Sequence, residues 1–344
     1  MISTRNSGDM GNDLIKFHVP CPLSPVPKII LSPMEGVTDL PFRRFIRELS
    51  KNKQPFFVSE FLSTGSSLFL TPVNTRAVRF DKEEEPFCMQ LFGHNAERLA
   101  AAALQAQELG ASFVELNAGC PAPKIANKGS GSGLLRDLPN LQKILESMKS
   151  VLKVPLFLKC RLGWDENSIV INEVLEIAEG CGVEQLTLHG RTKIQGYKGL
   201  ANWEAIGEIA AKAKIPIIGN GDIDSPEKAL NAIKHYGVKG VAIGRAVLRN
   251  PWIFSQIADA FEGREIKKIT ALDACNAVCR YEKLLRVDSL REGQIIGRLK
   301  QLSARLCLEF SAALPDFRLK VLRSENVREL LDNWIAMANI LQNK

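Results

Sequence analysis

Between residues 28 and 243, short apolar runs alternate with longer segments in which apolar residues recur at i, i+3 and i+4. The runs at 28–32, 56–60, 87–92, 112–116, 155–159, 185–188, 215–219 and 240–243 predict β-strands. Helical spacing predicts helices between them, over 96–109, 138–152, 168–181, 203–213 and 226–236. Asn95 before Ala96, and Ser225 before Pro226, are good helix-start signals, because a side-chain oxygen caps free N–H groups and Pro suits the first turn. Strands alternating with helices imply a parallel sheet with crossover helices. Eight such units match a closed (β/α)8 TIM barrel. The competing doubly wound sheet places a GxGxxG turn after its first strand, whereas here strand one runs into Pro33-Met34-Glu35-Gly36. Beyond Asp259 the strand signal ends, and helical patterns fill 271–287, 292–314 and 324–342, with Pro315 separating the last two. The expected architecture is therefore α/β, a barrel over 28–262 followed by an all-α helical bundle over 263–344. A polar tail, 1–27, precedes both.

Charge sharpens this division. The chain carries a net +7 over its 344 residues, and residues 264–344 hold 15 Lys/Arg against 10 Asp/Glu, which is +5 of it. A basic appendage on a near-neutral body points to a polyanionic partner, and solvated helix faces are the plainer account of the same charges. Composition excludes other classes. Hydrophobic residues at 45% and charged residues at 24% are ordinary for a globular protein. No run approaches the ~18 apolar residues of a membrane span, and the first residues lack the apolar core of a secretory signal. The eight cysteines (Cys21, Cys88, Cys120, Cys160, Cys181, Cys275, Cys279, Cys307) contain no CxxC pair, so no metal site is expected. Most sit in apolar runs and read as reduced, which argues for a reducing, cytoplasmic setting.

In such barrels, active sites form at the C-terminal ends of the strands. Strands seven and eight end in Asn220-Gly221-Asp222 and Gly244-Arg245. Glycines let the backbone approach a ligand, and Arg pairs with phosphate oxygens, so these ends read as a phosphate cradle. Gln90, Lys159 and His189 each end a strand, and three such donors at one mouth suit a flavin ring whose reduced form is anionic. Cys120, in Asn-Ala-Gly-Cys-Pro, is followed by a Gly- and Ser-rich loop with Lys124 and Lys128, read as a mobile cover. A cysteine beside basic residues can serve as proton donor or nucleophile.

At these positions the chain resembles the dihydrouridine synthase family. The matching segments are SPMEGVTDLPFR (32–43), QLFG (90–93), ELNAGCPAPKIANKGSGSGLL (115–135), LKCRLGW (158–164), LHGRTKIQGYKG (188–199), GNGDI (219–223) and AIGRA (242–246). The likeness runs in order over roughly 28–255, and beyond it only helical character is shared. The resemblance implies an FMN barrel, NADPH as reductant, tRNA as substrate, and reduction of the uridine C5–C6 bond. It implies that Cys120 protonates C5, and that Asn117, Lys159 and Arg191 lie around the substrate base and flavin. Gln90, Lys159, His189, Asn220, Gly221, Asp222, Gly244 and Arg245 would hold FMN, with Pro33 and Met34 against its ring. No protein partner is expected, and the chain is read as a monomer. The same chemistry on ribosomal RNA, an FMN barrel acting on a small pyrimidine, and a non-catalytic RNA-binding barrel are the alternatives.

Overall fold

The computed structural model describes residues 28–51, 53–64, 78–310 and 313–342. The polar tail expected over 1–27, with Cys21, lies outside the described residues. The strands are β1 (Lys28–Leu31), β2 (Phe56–Phe57), β3 (Leu62–Ser63), β4 (Cys88–Phe92), β5 (Phe113–Ala118), β6 (Leu156–Arg161), β7 (Gln185–His189), β8 (Ile217–Asn220) and β9 (Gly240–Ile243). They form one parallel sheet in the order β2-β1-β9-β8-β7-β6-β5-β4-β3. The two ends meet: Val58, just past β2, bridges Cys88 at the start of β4, and Ser59 N–H donates to the Cys88 carbonyl at 2.9 Å. The sheet thus curls closed into a barrel. Of the second run, expected as one strand over 56–60, only β2 and the Val58 bridge stay in the ladder, and β3 lies beyond it. Ser59 turns its hydroxyl onto the Glu60 carbonyl (2.8 Å), and Glu60 accepts the Val37 N–H (3.0 Å), bending the chain out of the ladder.

The crossover helices are α1 (Leu40–Ser50), α2 (Ala96–Glu108), α3 (Leu138–Val151), α4 (Ile171–Gly180), α5 (Trp203–Lys212), α6 (Pro226–Tyr236) and α7 (Ile253–Phe261). Asn95 caps α2 by accepting the Arg98 N–H at 2.8 Å, and Ser225 caps α6 by accepting the Lys228 N–H at 3.3 Å. Two hydrophobic layers result. One lies between sheet and helices. The other fills the barrel, where Phe113 and Phe157 stack with centroids 4.8 Å apart and Phe56 meets Phe113 edge-on. Side chains alternate across a strand, so the inward series continues upward from this aromatic floor as Gln90, Glu115, Asn117, Lys159, Arg161, Thr187, His189 and Asn220. Strands β5, β6, β7 and β8 end one or two residues later than their apolar runs suggest. Ladder hydrogen bonding is indifferent to side-chain polarity, so polar residues continue the strands into the mouth.

The tail helices are α8 (Ala271–Val287), α9 (Glu292–Leu306), α10 (Phe317–Arg323) and α11 (Val327–Gln342). The single helix expected over 292–314 ends earlier, passing into a 3-10 turn at Cys307–Phe310. The short α10 follows Pro315, and its Phe317 packs edge-on against Trp334 of α11 at 5.0 Å. The tail is not a loose appendage. Tyr281 of α8 is buried against Phe42 and Phe45 of α1, at 5.8 and 5.0 Å. Arg280 binds Glu48 through two 2.6 Å contacts, and Arg298 of α9 pairs with Asp39. No helix among the described residues is long and apolar enough to cross a membrane.

Candidate active site

Strand register assembles the mouth. Gln90 lies opposite Glu115 across β4 and β5, Asn117 opposite Lys159 across β5 and β6, and His189 pairs with Arg161 on one side and Asn220 on the other. Lys159 Nζ donates to Asn220 Oδ1 at 2.9 Å, while Asn220 Nδ2 donates to the Ala242 carbonyl at 2.7 Å. Burial pulls the Lys159 ammonium down to about 8, against the opposing pull of Glu115. Burial also pushes His189 far below its usual range, helped by Arg161, Lys159, Arg191 and Arg245, so the imidazole is neutral. Its Nε2 faces Arg191 Nη1 at 3.2 Å. Since Arg can only donate, Nε2 is the acceptor and the proton sits on Nδ1.

Arg191 is 2% exposed and its guanidinium is spent inside the protein. Nη2 donates to both Asp222 oxygens at 2.8 and 2.7 Å and to the Gly199 carbonyl at 2.7 Å, and Nε to the Lys198 carbonyl at 3.2 Å. It therefore braces His189 from behind. Asp222 also accepts the Ala201 N–H at 2.7 Å. Burial disfavours its charge, but the hydrogen bonds from Arg191 and Ala201 prevail and hold its carboxyl below the usual range. Gln90, fully buried, has its amide committed to Glu115 and Asn117.

The last strand ends form a concave backbone surface. Gly221 has φ +128°, and a Cβ there would stand 2.5 Å from Ala201 and 3.1 Å from the His189 ring, so only glycine fits. Among the described residues, no oxygen of the protein accepts the N–H groups of Gly221, Asp222, Gly244 or Arg245. Arg245 makes no ion pair among them and lies over the exposed Tyr197 ring at 4.2 Å. The Sδ of Met34, in the turn after Pro33, would lie 3.8 Å from a Cβ at Gly244. The mouth collects Lys159, Arg161, Arg191 and Arg245 against the carboxylates Glu115 and Asp222. Thr187 Oγ1, inward on β7, is buried with no partner among the described residues. Free backbone donors, surplus positive charge and an unmatched hydroxyl fit an anionic ring-and-phosphate cofactor such as FMN. No cluster of three or more His, Cys, Asp or Glu placed to hold a metal occurs among the described residues.

Cys120 stands at the lip, half-buried. Its backbone N–H and that of Gly119 donate to Asn117 Oδ1, both at 2.9 Å. Burial pushes its thiol up, opposed by the Ala122 N–H, Arg161 and Lys124. The loop beyond it, expected as a mobile cover, is instead built into the wall. Ser132 donates to the Cys120 carbonyl through N–H (3.1 Å) and Oγ (2.8 Å), and Gly131 to Leu135 are buried in a 3-10 turn. Three glycines and two serines keep the segment thin enough to pack, which composition alone does not distinguish from looseness. Lys124 is exposed and pairs with Glu35 at 3.2 Å. A cavity of about 810 Å³ opens beside the lip, between Glu35, Asp39, Glu60 and Phe61 of the barrel and Gln294 and Arg298 of α9.

Glu115, Arg161 and Tyr197 belong to this site but were missed as site residues. Arg161 clamps the loop behind Cys120, donating through Nε to the Gly119 carbonyl at 2.8 Å and through Nη1 to the Thr192 and Gly196 carbonyls at 2.9 Å. The signal for Glu115 and Arg161 was present in the sequence: each is two residues from a candidate site residue on its strand, Asn117 and Lys159, and so shares its face. Tyr197 has no such signal, since a loop side chain is placed only by the fold.

A family model described as dihydrouridine synthase (Dus) matches residues 30–314. Over 230 residues the chain is 41% identical to tRNA-dihydrouridine synthase B of Pseudomonas aeruginosa, covering 67% of this chain and 68% of that one. It is 33% identical over 315 residues to a probable tRNA-dihydrouridine synthase 1 of Synechocystis, covering 91% and 88%. Among solved structures, histamine dehydrogenase from Rhizobium superposes with a TM-score of 0.53 at 10% identity, covering 77% of this chain and 51% of that one. A 2-naphthoyl-CoA reductase superposes at 0.50 with 13% identity, covering 69% and 50%. The chain spans about half the length of those two proteins, and the likeness to them is one of fold.

Proposed function

The chain belongs to the dihydrouridine synthase family, and from that premise we propose that it reduces uridine in tRNA to 5,6-dihydrouridine, with FMN as cofactor and NADPH as reductant. The observation that carries the reading is the placement of one protonated thiol at the lip of a cation-lined mouth. Lys159, the Nδ1–H of His189 and the free N–H groups at Gly221, Asp222, Gly244 and Arg245 would hold the flavin, with Arg245 on its phosphate and Met34 against its ring. Bound there, the flavin supplies a hydride for C6 of the uracil.

The protein supplies the rest. A thiol pushed up by burial stays protonated near neutral pH, so Cys120 acts as an acid and hands its Sγ proton to C5, rather than attacking as a thiolate. Asn117 fixes the backbone that presents it. The exposed Tyr197 ring would meet the base, while Arg161, buried and bonded to the Gly119, Thr192 and Gly196 carbonyls, would hold the loops around it. Lys159 offers positive charge where negative charge grows on the ring system. Residues 263–344, with their surplus of Lys and Arg, would carry the RNA contacts beyond the mouth.

Nucleoside mass spectrometry of separated tRNA and ribosomal RNA, from cells with and without the gene, tests this. Dihydrouridine should fall in the tRNA fraction alone. A fall confined to ribosomal RNA would move the substrate, and no fall in either would overturn the proposal.

A further inference from the structure

Beneath the lip lies a buried carboxylate that the reaction does not consume. Glu115, 3% exposed, faces Gln90 across β4 and β5. Its Oε1 accepts from Gln90 Nε2 at 2.6 Å, and Gln90 Oε1 accepts from Asn117 Nδ2 at 2.8 Å. Asn117 Oδ1 then accepts the N–H groups of Gly119 and Cys120, both at 2.9 Å. Every link is directional, because an amide presents an oxygen on one side and N–H donors on the other. If Gln90 flipped, its oxygen would face the carboxylate and its NH2 would face the Asn117 NH2. If Asn117 flipped, its NH2 would face two backbone N–H groups. The chain therefore has one satisfied direction, running from the backbone N–H donors of Gly119 and Cys120 to an acceptor oxygen of Glu115, whose carboxyl burial pushes up against the opposing pull of Gln90 and Lys159.

We propose that Glu115 is a positioning residue: as the accepting oxygen at the foot of the Gln90–Asn117 amide chain, it holds the backbone from which Cys120 is presented. Charge near Lys159 is a separate consequence of the same carboxylate, and the two are separable by substitution. Glutamine at 115 keeps a carbonyl acceptor and the side-chain length but loses the charge. Methionine keeps the length and loses both. Only the significance for catalysis rests on the function proposed above.

The test uses the full-length protein as purified, in Glu115→Gln and Glu115→Met forms. The probe is iodoacetamide, with alkylation of each cysteine followed by peptide mass mapping. Cys181 and Cys279, also half-buried, serve as internal references. In Glu115→Met the tether on Cys120 loosens, and its alkylation relative to the references should rise about fivefold, the scale of one net hydrogen bond. In Glu115→Gln it should stay within about twofold of the parent on the same scale. Reoxidation of the pre-reduced enzyme by tRNA should follow the same order, slow in the Met form and restored in the Gln form. If the Met form does not fold, Gln90→Met breaks the chain one link higher and carries the same expectation. An unchanged Cys120 alkylation rate in the Met form, or equal shifts in Met and Gln forms, overturns the proposal. If Cys120→Ala still makes dihydrouridine, the proton-donor reading fails while the alkylation result stands.

Discussion

At the scale of the residue, the site works by setting protonation states through burial. Cys120 is kept a thiol and His189 a neutral imidazole, while Lys159 is held close to losing its proton. Cys120→Ala should bind flavin and accept electrons from NADPH at the parent rate, yet form dihydrouridine about 10²–10⁴-fold more slowly, the usual worth of general acid catalysis. Separate stopped-flow measurement of the two half-reactions checks this, and loss of flavin binding would make Cys120 structural. For Lys159 the relevant window lies between about 8 in the folded protein and its ordinary 10.5. As pH rises through about 8 the folded chain sheds this proton first, so the unfolded state binds more protons and the Lys159 contribution to stability grows. Activity should move the other way, with log rate falling at a slope of about −1 once the ammonium is lost. Lys159→Met should remove both trends, which pH profiles of turnover and of urea midpoints would show.

At the scale of the element, strand ends were legible where an apolar run stops and illegible where polar residues continue the ladder. Asn117, Arg161, His189 and Asn220 all lie inside strands. Their inward direction follows from the period-2 rule, but their mutual distances follow from register, which no single strand encodes. The segment after β5 shows the same limit. Its glycines permit a mobile loop equally well as a thin, packed one, and the deciding contacts come from Cys120 and Ile125. Gly131 has φ +57°, and a Cβ there would stand 3.0 Å from the Cys120 Cβ. Gly131→Ala should cost about 1–2 kcal/mol from the left-handed backbone alone, read as a lowered urea midpoint at unchanged m-value. A neutral result would mean that the turn relaxes freely.

At the scale of the whole molecule, barrel and tail share a buried boundary. A barrel ending near Gly263 would bare Phe42 and Phe45, which Tyr281 covers, so truncation does not separate binding from folding. Several tail cations are also occupied: Arg280 by Glu48, Arg298 by Asp39, and Arg286 by Glu282 and Glu292. Lys283, Lys300 and Arg305 form no ion pair among the described residues. Reversing these three to Glu should leave flavin content unchanged and weaken tRNA binding. The slope of log affinity against log salt should fall by about one for each phosphate that is no longer neutralised. Equal slopes in parent and variant would assign RNA binding to the barrel rim instead.

The sequence by itself determined the alternation of strands and helices, the helical tail, the residues at each strand end and the family they resemble. Those features are local, written in periodicity, capping residues and short motifs. Only the tertiary structure decided which groups are free to act. Arg191 and Arg161 are both arginines at strand ends, yet one is consumed by Asp222 behind His189 and the other braces the Cys120 loop beside Tyr197. Glu115 looks like an interior strand residue until Gln90 and Asn117 are brought against it. A side chain's chemistry depends on its burial and its partners, and both are set by elements far apart in the chain.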